Sequence, residues 1–80
     1  MSAKNTGTWD ILKKDGLSLL FLILNSNESL EILLRDQDNL FIELFLSPGS
    51  KHTYFTTERI EGKDLDVTLF SNGECEVETL

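Results

Sequence analysis

The chain predicts a small α+β domain, a mainly antiparallel β-sheet of about four or five strands with one or two short covering helices. Three observations predict it. Eighty residues leave room for one domain, because a chain this short buries only roughly 60% of its unfolded surface. Leu, Ile, Val and Phe recur in blocks of period two, the spacing of strands with a covered face. Short polar, Gly- or Pro-containing breaks separate those blocks, as the turns of an antiparallel meander require. Residues 1–80 are therefore read as a single domain, with 1–7 as a flexible N-terminal arm.

The first element, residues 8–16 (TWDILKKDG), reads as a short helix. Thr8 would be its N-cap, Asp10 lies in the first turn, Lys13 and Lys14 in the last, and Gly16 is the stop. Trp9, Leu12 and Ile11 would supply the buried stripe. Residues 17–24 (LSLLFLIL) form a nearly uninterrupted apolar run bounded by Gly16 and Asn25-Ser26-Asn27, which suits a strand covered on both faces. Residues 28–35 fit two periods. Leu30, Ile32 and Leu34 alternate as in a strand, while Leu30, Leu33 and Leu34 also share a helical face. Capping by Ser26 or Asn27, Glu28 and Glu31 at the positive end and Arg35 at the negative end favour helix.

After the polar break Asp36-Gln37-Asp38-Asn39, residues 40–46 alternate as a strand. Leu40, Ile42, Leu44 and Leu46 take one face, and Phe41, Glu43 and Phe45 the other. Ser47-Pro48-Gly49-Ser50 reads as a turn, residues 51–58 (KHTYFTTE) as a Thr- and aromatic-rich strand, and Glu61-Gly62-Lys63-Asp64 as a second turn. The last hairpin yields a register. A two-residue Asn72-Gly73 turn would set Leu69 opposite Glu76, whereas a three-residue Ser71-Asn72-Gly73 loop pairs Leu69 with Cys75 and Val67 with Val77. Only the three-residue loop keeps each face consistent. It turns Leu65, Val67, Leu69, Cys75 and Val77 inward and puts Asp66, Glu74, Glu76 and Glu78 outside. Asp66 then faces Glu78, a like-charge pair that costs stability.

Fourteen Asp and Glu against seven Lys and Arg give a formal charge of −7. That balance repels nucleic acid and anionic membranes and favours a basic partner surface. The single cysteine, Cys75, cannot form an internal disulfide, so the core holds without a covalent staple, as in a reducing, cytoplasmic setting. Lys13-Lys14 ahead of residues 17–24 imitates the order of a signal peptide. The run is far too short to span a bilayer, Asp10 and Asp15 flank the lysines, and no small-residue cleavage site follows.

Residues for chemistry are sparse. His52 has no nucleophile beside it in sequence, Ser29 lacks a nucleophile-elbow setting, and an inward Cys75 would have a raised, unreactive thiol. Asp36-Gln37-Asp38-Asn39 shares the opening of a calcium loop but lacks its glycine and its closing glutamate. No catalytic residue, metal site or cofactor is expected. The carboxylates remain. At alternate strand positions they stand about 6.7 Å apart, so Glu74, Glu76 and Glu78 with Asp66 form a regular negative row. Such a row either blocks aggregation at an edge or fits a basic groove.

The order of features resembles the uracil-DNA glycosylase inhibitors, small acidic proteins that occupy the enzyme's DNA groove as a mimic of DNA. The resemblance rests on residues 9–16 as an opening helix, a strand leading to Glu28-Ser29-Leu30, the acidic and apolar stretch Glu31-Ile32-Leu33-Leu34, and a Thr- and aromatic-rich strand over 52–57. It implies that Glu28 and Ser29 meet enzyme groups that engage the DNA backbone, with Leu30 and Glu31 beside them. It also implies an apolar pocket for a protruding side chain of the enzyme, with Ile32, Leu33, Leu44 and Tyr54 as its candidates.

The reading that follows is a monomeric, non-catalytic inhibitor of phage or mobile-element type. It would bind a basic DNA-binding protein, uracil-DNA glycosylase, one to one, without contacting nucleic acid or membrane itself. The alternative is an immunity or antitoxin-like protein that neutralises a basic toxin or nuclease.

Overall fold

The computed structural model describes residues 3–46 and 51–80. Among them are six strands and one helix: β1 (Ala3–Lys14), β2 (Leu17–Leu24), β3 (Ser29–Leu33), α1 (Asp36–Phe45), β4 (Thr53–Ile60), β5 (Lys63–Phe70) and β6 (Glu74–Thr79). The strands form one antiparallel sheet in the order β3-β2-β1-β6-β5-β4. Two three-stranded meanders thus lie side by side, and the pairing of β1 with β6 joins them into one sheet. The class is α+β as expected, with six strands in place of four or five and one helix.

The predicted opening helix is instead most of a long strand. Trp9 and Ile11 alternate with Thr8, Asp10 and Leu12, and only Trp9 and Ile11 pack on the core. Gly16, read as a helix stop, is the second residue of a two-residue hairpin turn. Asp15 has φ 53° and Gly16 φ 77°, and Lys14 pairs directly with Leu17, the geometry that an Asp-Gly pair favours between strands. Nor are residues 3–7 an arm. Lys4 to Thr8 pair with Glu78 to Glu74, which gives the first residues of β1 a full ladder partner.

β1 serves both meanders in succession. Ala3–Thr8 pair with β6 and Gly7–Lys14 with β2, so the strand passes from one partner to the other at residues 7 and 8. A Cβ at Gly7 would stand 2.1 Å from the carbonyl oxygen of Ile23. Only glycine lets β1 and β2 approach that closely. The sheet also curls. Leu30 of β3 and Ile60 of β4, on opposite edges of the sheet, line one small hollow of about 120 Å³.

Residues 28–35 are strand rather than helix. β3 pairs with β2 through Leu22↔Leu30 and Leu20↔Ile32, so the alternation of Leu30, Ile32 and Leu34 prevails over the helical capping signals. The predicted strand at 40–46 is helical. Ile42 and Leu46 are buried while Leu40 and Leu44 are exposed, so the buried positions recur every four residues and not every two. The polar run before it is the helix's first turn. The backbone N–H of Arg35 donates to Asp38 Oδ2 at 3.3 Å, and Asp36 and Asp38 sit at the positive end of the helix. The Ser47–Ser50 turn lies outside the described residues.

The final hairpin has the predicted register, with Leu69↔Cys75, Val67↔Val77 and Asp66↔Glu78. One face of the sheet carries the core. Leu20, Leu22 and Leu24 of β2 meet Val67, Leu69, Cys75 and Val77, and α1 closes this face with Ile42 and Leu46. The opposite face has no covering element among the described residues. Strand β2 is therefore covered on one side only. Leu17 and Ile23 are exposed and Leu19 and Phe21 are half-buried, which corrects the expectation of burial on both faces.

Candidate partner-binding surface

The open face is built by strand parity. β6 points Glu74, Glu76 and Glu78 outward because Cys75 and Val77 point in. β5 does the same with Asp66, Thr68 and Phe70, because Leu65, Val67 and Leu69 are buried. The predicted acidic residues Asp66, Glu74, Glu76 and Glu78 thus share one face and two adjacent strands, and Asp66 stands opposite Glu78. The Thr57 hydroxyl donates to Asp66 Oδ1 at 2.6 Å, which fixes that carboxylate against the sheet. Lys4 Nζ lies 3.4 Å from Glu76 Oε2, an exposed pair that contributes little stability. Between β1 and β6 runs a groove of about 320 Å³, lined by Thr6, Thr8, Asn25, Phe70, Glu74 and Glu76. The Asn25 amide donates to Thr6 Oγ1 at 2.8 Å across one wall.

The first meander gives the same face another character. Cross-strand pairing sets Leu12, Leu19 and Leu33 in one row and Asp10, Phe21 and Glu31 in the next. A third row runs Ser29, Ile23, Thr8 and Glu74. Leu12, Leu17, Ile23 and Leu33 are all exposed. The apolar platform on β2 and its neighbours therefore shares this face with the acidic strands β6 and β5, with Thr6 and Thr8 of β1 between them.

The Glu28-Ser29-Leu30-Glu31 stretch divides. Ser29 is exposed at the start of edge strand β3, and Glu28 is exposed just ahead of it. Glu31 belongs to the open face, and Leu30 turns to the core side. Ser29 falls in the same cross-strand row as Glu74, three strand spacings or about 14 Å away. The four pocket candidates do not converge. Ile32 is core, Leu33 is on the open face, Leu44 is exposed on α1 and Tyr54 packs beneath the helix. A small hollow of mixed character does adjoin the signature, with Leu24, Leu30, Ile60, Leu65 and Val77 beside the polar Asn5, Glu28, Glu61, Lys63 and Thr79. Parity alone could have identified Leu30 for it. Ile60, Leu65 and Val77 arrive only through the curl of the sheet.

Tyr54 has a different part. Its hydroxyl donates a short hydrogen bond to Asp38 Oδ1, and its ring meets Phe41 with centroids 5.4 Å apart, so it clamps α1 onto β4. The Arg35 side chain donates to Asp38 Oδ2 at 3.2 Å. Burial pushes the Asp38 carboxyl up, but the bonds from Tyr54 and Arg35 outweigh it and hold the group below its ordinary value. Tyr54 is pushed up to about 12, by burial first and by its bond to Asp38 second. Asp36 to Asn39 are thus helix residues with structural tasks.

Cys75 is 1% exposed, and burial raises its thiol pKa, aided by neighbouring Glu76; a thiol so placed is a poor nucleophile. His52 is exposed just ahead of β4. Among the described residues, no helix is long and apolar enough to cross a membrane. No family model, no curated protein and no solved structure matches the chain.

Proposed function

We propose that this protein is a non-catalytic inhibitor that presents its open sheet face to the basic DNA-binding cleft of an enzyme, with uracil-DNA glycosylase as the target that its sequence favours. The observation that carries the reading is the carboxylate row of β5 and β6. Asp66 and Glu78 face each other across the ladder, and Glu74 and Glu76 continue the row beside a groove. Like charges placed directly opposite cost stability, and a fold that retains them gains a concentrated negative potential in return. A cleft lined by Lys and Arg for DNA phosphates is the complement of such a surface.

Two further features support the same target. Ser29 is accessible at the start of edge strand β3 and Glu28 just ahead of it, as the resemblance requires. The small hollow beside Glu28, with apolar walls from Leu24, Leu30 and Val77 and polar ones from Glu61 and Lys63, has room for about one side chain of a partner.

Titrating the protein into a bacterial uracil-DNA glycosylase assay tests the reading. Stoichiometric loss of uracil excision is the expected result, relieved by Glu74→Gln, Glu76→Gln and Glu78→Gln together and weakened by rising salt. Full enzyme activity in the presence of excess protein would overturn it. Capture of a basic nuclease or toxin in that event would favour the immunity reading, which needs the acidic row but not Glu28-Ser29-Leu30.

A further inference from the structure

We infer that the apolar platform of the first meander is a second docking surface, shaped for a basic amphipathic helix of the partner protein lying along β2. The inference deepens the reading above and rests on it for the sign of the partner's charge.

A strand needs one apolar face to join a one-sided core. β2 has two, and the outer one has no covering element among the described residues. Ile23 is 52% exposed and Leu33 57%; Ile23 stands two residues along β2 from the half-buried Phe21, and Leu33 of β3 lies one cross-strand row to its other side, opposite Leu19. Residues of this kind on a continuous sheet face mark an interaction surface.

The charges around Phe21 select the occupant. Asp10 on β1 and Glu31 on β3 stand directly on either side of it, and Glu74 follows one strand beyond Thr8. A second copy of this chain fits poorly. In a two-fold face-to-face dimer about Phe21, an axis along the strands sets Asp10 of one copy over Glu31 of the other. An axis across the strands sets each carboxylate over its own counterpart. Both place like charges in a desolvated interface, between copies that each carry a net charge of −7. An anionic membrane or a nucleic acid is repelled by the same groups. A helix with an apolar stripe flanked on both sides by Lys or Arg satisfies every position. Its stripe covers Phe21, Ile23 and Leu33, and its cations reach Asp10 and Glu31 at the flanks. The nearest cation on this face, Lys14, lies at the far end of β2 beside Leu17, clear of the Phe21 row.

The test uses the full chain, the variant Ile23→Thr/Leu33→Thr and the Glu74→Gln/Glu76→Gln/Glu78→Gln triple variant. Both apolar substitutions fall at exposed positions and keep strand-compatible side chains, and an unchanged melting temperature verifies folding. The probe is a synthetic helical Lys/Leu peptide with one apolar stripe, compared with its Glu/Leu counterpart by isothermal titration calorimetry.

The Lys/Leu peptide is expected to bind the native chain, to lose about tenfold or more in affinity on Ile23→Thr/Leu33→Thr, and to bind the triple variant with less change. The Glu/Leu peptide is expected not to bind. Equal binding of the Lys/Leu peptide to native and Ile23→Thr/Leu33→Thr chains would overturn the inference, as would a native dimer that the same substitutions convert to monomer. The glycosylase assay separates the two claims. Inhibition lost in the triple variant but unaffected by Ile23→Thr/Leu33→Thr sinks the platform and leaves the proposed function standing. No inhibition by the native chain, with platform-dependent peptide binding intact, sinks the glycosylase reading and leaves the platform.

Discussion

The two meanders, β1-β2-β3 and β4-β5-β6, solve the same packing problem and differ on the side that packing does not govern. Both turn alternate residues inward: Leu20, Leu22 and Leu24 in the first, and Leu65, Val67 and Leu69 in the second. Their outer faces diverge. The first presents Leu12, Phe21, Ile23 and Leu33 with Asp10 and Glu31 among them, and the second presents Asp66, Thr68, Glu74, Glu76 and Glu78 with Phe55 and Phe70. Since β6 folds with three glutamates on its outer face, a strand of this sheet does not require an apolar outer face. The proposed partner contacts lie on this outer side, away from α1.

The sharpest way to break this comparison is to remove side chains on neighbouring positions of β2. Leu22→Ala empties a fully buried site and should cost about 2–5 kcal/mol. Ile23→Thr, one residue along on the open face, should stay within about 0.5 kcal/mol. Urea unfolding measures both. A large loss at Ile23 would mean that the outer face is part of the core and carries no separate role.

A second experiment concerns α1, which follows the first meander in sequence and is clamped to the second through Tyr54. Tyr54→Phe removes a hydrogen bond to a charged acceptor and should cost about 1.5–3 kcal/mol near neutral pH. The pH dependence has a definite sign. The folded-state Asp38 carboxyl is held below its ordinary value of 3.8, so its contribution is complete above that value and is lost as the pH falls through the lower folded value. The stability gap between native and Asp38→Asn chains should begin to narrow as the pH falls below about 4. At the alkaline end the Tyr54 hydroxyl, raised to about 12, contributes fully below its ordinary value near 10 and loses its contribution as the pH climbs through 12. A gap that is constant through the acid range would show that the clamp is unimportant.

The smallest expected effect has the opposite sign. Glu78→Gln relieves the repulsion with Asp66 and should stabilise the second meander by about 0.2–1 kcal/mol, while weakening inhibition in the glycosylase assay. A thermal melt and the assay, run on one preparation, read both. A destabilised Glu78→Gln chain would show that the acidic row is structural.

The residues made the second meander far more legible than the first. Asn72-Gly73 and a strict alternation around it leave one register that keeps both faces consistent, so Asp66 opposite Glu78 could be derived without coordinates. In the first meander, Thr8 and Gly16 serve equally as helix caps and as the start of a strand and its hairpin turn. Only the alternation of Trp9 and Ile11 separates the two. α1 was concealed by Leu40, Ile42, Leu44 and Leu46, whose period-two spacing is real but whose burial is not. Which of them is buried depends on where the helix lands on the sheet, a long-range fact. The acidic half of the candidate surface was legible because parity alone determines it. The apolar half was not, since a continuous apolar run on β2 implies cover on both faces until the placement of α1 shows cover on one.

The sharing of β1 between two partners also governs the order in which the chain can assemble. Four of the five ladders join strands adjacent in sequence, and each closes through a short connection at little entropic cost. The fifth joins residues 3–8 to residues 74–79, the most distant pairing in the sheet. The hairpins of each half are expected to form fast and locally, and the slow step is their docking along β1 and β6. Until that step is complete, β1 and β6 each have an unpaired edge. The junction that unites the acidic and apolar halves of the surface is thus also the last part of the molecule to be made.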